Sequence, residues 1–272
     1  MHPQVPCTLP LLLAPAPCTD PERTPWGGRR IVERYGRTVP RDVPDDAPVG
    51  ESWELSVTPD FPSRLDDGRL LSEVLASDPA QLLGAEAARG GTALLVKLLD
   101  AAQALSVQIH PRDDYSGLGD AESGKPESWY VLDRAPGAGL YLGLRRGVDE
   151  GSLRAAITAG ADASALLSFV PVEPGDFFVI DAGTAHAIGP GVTLVEPQRV
   201  VPGRRGVTYR YWDWNRRYDA AGRPVDADAP DGRARTLHLE HALAVTDWDA
   251  PREAALLASA RCAAGAPRPS GP

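Results

Sequence analysis

The chain has 272 residues, enough for one large domain or one domain with a small appendage, and its 43% hydrophobic and 24% charged residues are ordinary for a globular protein. A formal net charge of −9 argues against non-specific nucleic-acid binding, which needs a basic footprint, although a single pocket can still be locally positive. With 27 Gly and 27 Pro the chain is turn-rich, which favours many short strands over long helices.

Cys7, Cys18 and Cys262 are odd in number, fit no zinc-motif spacing and suit a reducing compartment. The apolar run Leu9 to Ala14 is short, is interrupted by proline and has no basic residues before it, so a signal peptide is not expected. No other stretch approaches the ~20 apolar residues needed to span a bilayer. The expectation is a cytoplasmic protein without a membrane or nucleic-acid partner.

In chain order, residues 1 to 30 read as extended and end in the turn Trp26-Gly27-Gly28-Arg29-Arg30. Gly50 to Val57 alternates large apolar with polar residues, the period of a half-buried strand. Leu71, Val74, Leu75, Leu82 and Leu83 have helical spacing broken at Pro79, which predicts two short helices between residues 70 and 90. Strand character follows at 93–99, 105–110, 128–132 and 139–144. Asp149 to Leu167 predicts a helical insertion, with Asp149 and Glu150 in its first turn and Leu153, Ala156 and Ile157 as its apolar stripe. Strands resume at 176–180, 193–195 and 207–212, and Gly175 and Gly183 mark the turns bounding the first of them. Residues 220–235 read as a polar loop. One domain over 1–250 and a low-complexity tail over 251–272 complete the expected organisation. Strands joined by short turns, with helices confined to insertions, indicate an all-β barrel or sandwich, and a cupin-type double-stranded jelly roll would bring ligands from separate strands inside one barrel.

Three segments carry the chemistry. In Gln108-Ile109-His110-Pro111 the first and third residues face the same side of a strand. Lys125-Pro126-Glu127 adds a carboxylate, and Gly183-Thr184-Ala185-His186, behind the turn Pro174 to Asp176, adds a second imidazole. Gln108, His110, Glu127 and His186 together offer two nitrogen and two oxygen ligands, a set that suits Zn²⁺ or a similar divalent ion. Either histidine alone reads better as a satisfied core residue; the four together, in a chain with five His, favour a metal. His238 and His241 sit three apart without a third ligand nearby and read as a solvated helix face. Lys97, within the apolar run Leu94 to Leu99, fits a strand-edge lysine and an anion-binding lysine equally well. Lys125, two residues from Glu127, is a candidate general acid/base or an ordinary ion-pairing lysine. Arg210, in the aromatic strand Thr208 to Trp214, also fits a cation–π structural role.

Trp26-Gly27-Gly28-Arg29, Gly50-Glu51-Ser52-Trp53-Glu54, Lys97 to Asp100, Leu105 to Pro111, Gly124 to Glu127, Pro174 to Phe178, Ala182 to Gly189 and Thr208-Tyr209-Arg210, taken in order, resemble the type I phosphomannose isomerases in their shorter bacterial form. The resemblance runs from about Pro10 to Trp248. It implies a zinc-dependent cupin enzyme, with one Zn²⁺ per chain, that interconverts mannose 6-phosphate and fructose 6-phosphate through a cis-enediol. By position, Gln108, His110, Glu127 and His186 match the zinc ligands, and Lys97 and Ser106 match phosphate-contacting positions. Lys125 and Arg210 match the residues proposed to handle protons and stabilise charge, and Glu196 matches a pocket glutamate.

The resemblance departs in two places. Val200 to Gly206 inserts about four residues relative to the family's usual run. Family members also usually continue into a second small β domain, where this chain runs into the alanine- and proline-rich stretch Ala255 to Pro272. The expected partner is a small sugar phosphate, and a monomer is plausible. A non-catalytic, metal-containing sugar-phosphate-binding cupin and an iron cupin oxygenase are the alternatives; Gln108 weighs against the second by filling a fourth ligand position.

Overall fold

The computed structural model describes residues 10–219 and 223–262. Cys7, the first nine residues of the expected extended start, residues 220–222 of the polar loop and residues 263–272 of the expected tail lie outside the described residues. The chain runs α1 (Arg30–Glu33), β1 (Glu51–Leu55), α2 (Leu71–Ser77), α3 (Pro79–Leu83), β2 (Leu94–Ala101), β3 (Val107–Ile109), β4 (Glu122–Ser123), β5 (Glu127–Arg134) and β6 (Gly139–Leu144). It continues through α4 (Glu150–Thr158), β7 (Leu167–Pro171), β8 (Phe177–Ile180), β9 (His186–Ile188), β10 (Val192–Arg199), β11 (Arg205–Gly206) and β12 (Tyr209–Trp212). The short pair β13 (Arg217–Tyr218) and β14 (Pro224–Val225) precedes α5 (Leu239–Ala244), α6 (Ala254–Ala260) and β15 (Arg261–Cys262).

A six-stranded sheet, ordered β1-β2-β10-β5-β8-β15, faces a five-stranded sheet ordered β12-β3-β9-β6-β7. Every pairing within these two sheets is antiparallel. The inward side chains of both sheets, among them Leu99, Trp129, Val131, Leu140, Leu142, Phe178, Ile188 and Leu194, form one apolar cluster. The architecture is the all-β cupin type with short helical insertions. On its outer side the five-stranded sheet is covered by α4 and α5, through Leu153, Ile157, Ala242 and Leu243. The segment around α1 covers part of the other sheet, where Ile31, Val49 and Cys18 pack on Leu98.

Register grades the barrel interior from apolar to polar. On β10, Val192 and Leu194 stand opposite Ala101 and Leu99 of β2, but two residues on, Glu196 stands opposite Lys97. Gln198 stands opposite Glu127 of β5. In the facing sheet Gln108 pairs with both Arg210 and His186. Polar groups from both sheets therefore converge at one end of the barrel, over a floor made by the apolar cluster.

The break at Pro79 occurs as predicted: Asp78 caps α3 by accepting from the Gln81 N–H (3.2 Å), and Pro79 fills the first position, where a missing N–H costs nothing. The helix expected over 149–167 is shorter. It starts on an Asp149–Ser152 capping box but stops at Thr158, before Gly160 at φ +64°. A 3₁₀ turn over Ala163–Leu166 follows, and Leu167 already begins β7, where burial alternates from Ser168 to Pro171. The stretch expected as a polar loop contains β14, which pairs with β13. Within the stretch expected as tail, α6 packs Leu256 and Ala260 into the apolar cluster, and β15 pairs with β8 to form the edge of the six-stranded sheet. Alanine-rich composition concealed that amphipathic face. No helix among the described residues is long and apolar enough to cross a membrane.

Candidate metal centre

His110 immediately follows β3, Glu127 opens β5 and His186 opens β9, so three separate strand ends deliver three side chains to one point. Their ligand atoms all lie within 4.8 Å of one another and all three residues are buried. This is the one His/Cys/Asp/Glu cluster of metal-binding geometry among the described residues. The turn before His186 is tied to His110: the Gly183 N–H donates to the His110 carbonyl (3.0 Å) while Gly183 sits at φ +83°. A side chain there would also come 3.1 Å from Asp247 Cβ, so glycine is needed for both conformation and space.

Backbone carbonyls fix the tautomer of each imidazole. His110 Nδ1 is 3.0 Å from the Val207 carbonyl and His186 Nδ1 is 2.9 Å from the Thr184 carbonyl, so both Nδ1 atoms carry the proton and donate. The Nε2 lone pairs then point at a carboxylate: His110 Nε2 is 3.1 Å from Glu127 Oε2, and His186 Nε2 is 3.3 Å from Glu127 Oε1. Lone pairs facing lone pairs repel unless a cation lies between them. Consistently, the buried His110 Nε2 and Glu127 Oε1 have no hydrogen-bond partner. Burial, and next the charge of Lys125, lower the His110 pKa to about 4, so the ring is neutral and free to ligate. Burial works to raise the Glu127 pKa, but the charge of Lys125, the largest opposing cause, helps hold the carboxyl well below the ordinary range. These groups fit a divalent cation.

Gln108 reaches the same cluster, its Nε2 lying 3.5 Å from His186 Nε2; turning the amide over would present its oxygen instead. Lys125 Nζ is 3.4 Å from Glu127 Oε2. Ser106 is buried, two residues before Gln108 along the same segment. Arg210 backs onto Gln108, and its buried Nε has no partner. Burial, followed by the nearby Arg235, lowers its pKa to about 10, which leaves it charged at neutral pH.

Lys97 is no strand-edge lysine with its head in water. It is 7% exposed, with Nζ 3.3 Å from Glu51 Oε2, 3.9 Å from Glu196 Oε2 and 4.5 Å from the centroid of the Trp53 ring. Burial, and then the Glu127 charge, raise the Glu196 pKa to about 8. His238 and His241 are also more engaged than a solvated face. The His238 ring accepts from the Arg210 N–H (3.2 Å), while the His241 ring stacks on Tyr209 at 4.9 Å and meets the Tyr115 hydroxyl at 2.9 Å. Four residues of the site were not singled out from the sequence. Glu51 and Trp53 alternate along β1, Trp129 follows Glu127 by two and donates to Glu196 (3.3 Å), and Gln198 follows Glu196 by two. Strand period two was the available signal in each case.

Residues 19–132 match the family description "Phosphomannose isomerase type I, catalytic domain". Mannose-6-phosphate isomerase of Streptococcus mutans is 34% identical over 232 residues, covering 84% of this chain and 66% of that protein. Residues 19–132 thus carry the catalytic-domain pattern of the type I phosphomannose isomerases. The chain spans just under two thirds of the length of the curated relatives it matches, at 66%, 64% and 64%. The crystal structure of mannose 6-phosphate isomerase from Bacillus subtilis superposes with a TM-score of 0.70 at 28% identity, covering 90% of this chain and 71% of that one. A mannose 6-phosphate isomerase structure bound with zinc and yttrium shares the fold at TM-score 0.61 and 17% identity, covering 96% of this chain and 78% of that one. All three of these proteins are named mannose-6-phosphate isomerase, and the two solved structures share the barrel described above.

Proposed function

We propose that the chain is a mannose-6-phosphate isomerase that binds one Zn²⁺ through Gln108, His110, Glu127 and His186. The observation carrying this reading is the convergence of two neutral, tautomer-fixed imidazoles on one buried carboxylate. Two nitrogens, a carboxylate and an amide oxygen favour zinc over the harder Mg²⁺ or Ca²⁺. The family relationship supports the substrate pair.

Interconversion of an aldose and a ketose takes a proton from the carbon beside the carbonyl and returns it to the neighbouring carbon through a cis-enediol. Bound zinc would supply Lewis acidity or hold sugar oxygens in place. Lys125, with its Nζ 3.4 Å from Glu127 Oε2, would move the proton. Arg210, charged and without a partner at Nε, would stabilise the enediolate. Lys97 and Ser106 would hold the phosphate at the far end of the substrate and so fix its orientation away from the reacting carbons. Glu196, largely protonated at neutral pH, would present a hydrogen-bond donor to the pocket.

The test is conversion of mannose 6-phosphate to fructose 6-phosphate by purified protein, before and after chelation and with Zn²⁺ restored. Turnover that is lost on chelation and regained with zinc is the expected result. Folded, zinc-loaded protein without turnover would instead favour a sugar-phosphate-binding cupin.

A further inference from the structure

The proposed metal ligand Glu127 and the pocket glutamate Glu196 lie in one buried group with no arginine among the described residues paired to either carboxylate, and the Gln198 amide joins them. Gln198 Nε2 donates to Glu127 Oε2 (3.1 Å) and to Glu196 Oε2 (2.6 Å). All three side chains are buried, with Gln198 only 1% exposed. Strand register sets this up: Gln198 stands opposite Glu127 and two residues beyond Glu196 on the same face of β10. The amide cannot sit the other way round. Reversed, its oxygen would face the ionised Glu127 carboxylate, whereas as placed one N–H meets Glu127 and the other meets Glu196.

We propose that Gln198 is a positioning residue for the metal centre, clamping Glu127 in the rotation that directs its oxygens at His110 and His186. The terminal torsion of a glutamate is soft, so an unclamped Glu127 would have no fixed carboxylate plane. Its neighbours on the ligand side cannot supply one, because both Nε2 atoms are acceptors. Lys125 contacts the same Oε2, but a flexible ammonium is a point charge rather than a planar donor pair. The amide thus bridges an ionised carboxylate and a neighbouring acid and orients the one that ligates. Its own oxygen, buried and without a partner, faces away from both carboxylates and remains available to a hydroxyl donor.

This inference rests on the metal-dependent reading above, and zinc affinity tests it independently of turnover. Gln198→Met keeps the side chain's length without any hydrogen bond, and Gln198→Glu keeps its shape but replaces both donors with an acceptor. Zinc dissociation constants would be measured by competition with a chromogenic chelator, alongside thermal melting of the metal-stripped proteins. Both variants are expected to bind zinc about 10- to 100-fold more weakly, the usual loss when an outer partner of a metal ligand is removed. Metal-stripped Gln198→Met should melt close to wild type. Zinc affinity of folded Gln198→Met within about threefold of wild type would overturn the inference while leaving the metal centre standing. Failure of Gln198→Met to fold without metal would also overturn it, by marking a packing role. Wild-type protein that binds no zinc would bring down both.

Discussion

Replacing Gly206 by alanine moves Lys125 without touching Lys125 itself. Gly206 lies in β11 beside Ser123 of β4, and its φ is not among the positive ones, so the backbone accepts a side chain. The added Cβ would lie 2.9 Å from Lys125 Cγ and 3.0 Å from its Cβ and Cδ. Ordinary carbon contacts are about 3.5–4.0 Å, so the lysine stem must withdraw by roughly 0.5–1 Å. Lys125 Nζ starts 3.4 Å from Glu127 Oε2, where at an effective dielectric of ~20 the attraction is about 5 kcal/mol, and a retreat of about 1 Å removes about 1 kcal/mol of it. A misplacement of that size in a reacting group costs up to roughly 100-fold in rate. The expected result for Gly206→Ala is therefore kcat lower by roughly ten- to a hundredfold, KM changed by less than about threefold, and a melting temperature lowered by only about 2–4 °C. A coupled isomerase assay and a thermal melt read these quantities. Folded Gly206→Ala with kcat within about twofold of wild type would refute the placement of Lys125 as the proton-handling group.

Further outcomes follow from the same geometry. His110→Ala and His186→Ala should each abolish the thermal stabilisation that zinc gives wild type, about 2.7 kcal/mol at a hundredfold excess over the dissociation constant, and retained stabilisation in either would count against a shared ion. Glu51 has its pKa held at about 2: burial opposes ionisation, but Lys97 and Arg23 overcome it. A depressed folded pKa stabilises the fold above the unfolded value of 4.5 and loses that contribution as pH falls toward 2. Glu51→Gln should accordingly show a flatter decline in stability over that window, seen in denaturant melts at stepped pH, and an unchanged slope would contradict the pairing. Leu256→Ala should cost about 2–4 kcal/mol in denaturant unfolding, because Leu256 fills the apolar end of the barrel against Gly143, and KM should not change.

Much of the barrel was legible because strand period and turn chemistry agree locally. Glu51–Leu55, Leu94–Ala101 and Gly139–Leu144 lie where alternation or apolar runs predicted strands, and Pro79 divides its helices for the predicted steric reason. The misses each have a physical cause. His186–Ile188 is three residues long, too short for any period to show, and is a strand only because β3 and β6 flank it. Leu167–Pro171 was not anticipated as a strand: the expected helix ran on to Leu167 because Ala155, Ala156, Ala159 and Ala161 carry high helix propensity across a boundary that Gly160 enforces by conformation.

The polar end was legible to a different degree on each strand, and the barrel's construction accounts for this. Gln108 and His110 declare themselves because an amide and an imidazole at alternate positions of a strand are costly without partners. Glu51 and Gln198 gave no such sign. Each is polar in a segment where a polar residue could equally face solvent, and only pairing shows that it faces inward: Gln198 meets Glu127 across β10 and β5, and Glu51 meets Lys97 across β1 and β2. The two neighbours of Gln198 on its own strand face are informative together. Leu194 sits in the apolar cluster, and Glu196 is pushed toward its protonated form by burial. One strand face thus passes from hydrocarbon to a neutral acid to an amide donor within five residues, Leu194 to Gln198. That gradient keeps the charge of Glu127 from being duplicated beside it: the adjacent carboxyl takes up a proton, and the next residue supplies N–H groups. A barrel that placed two ionised carboxylates there would have to neutralise both, and a single divalent ion would then be shared between them rather than aimed by one.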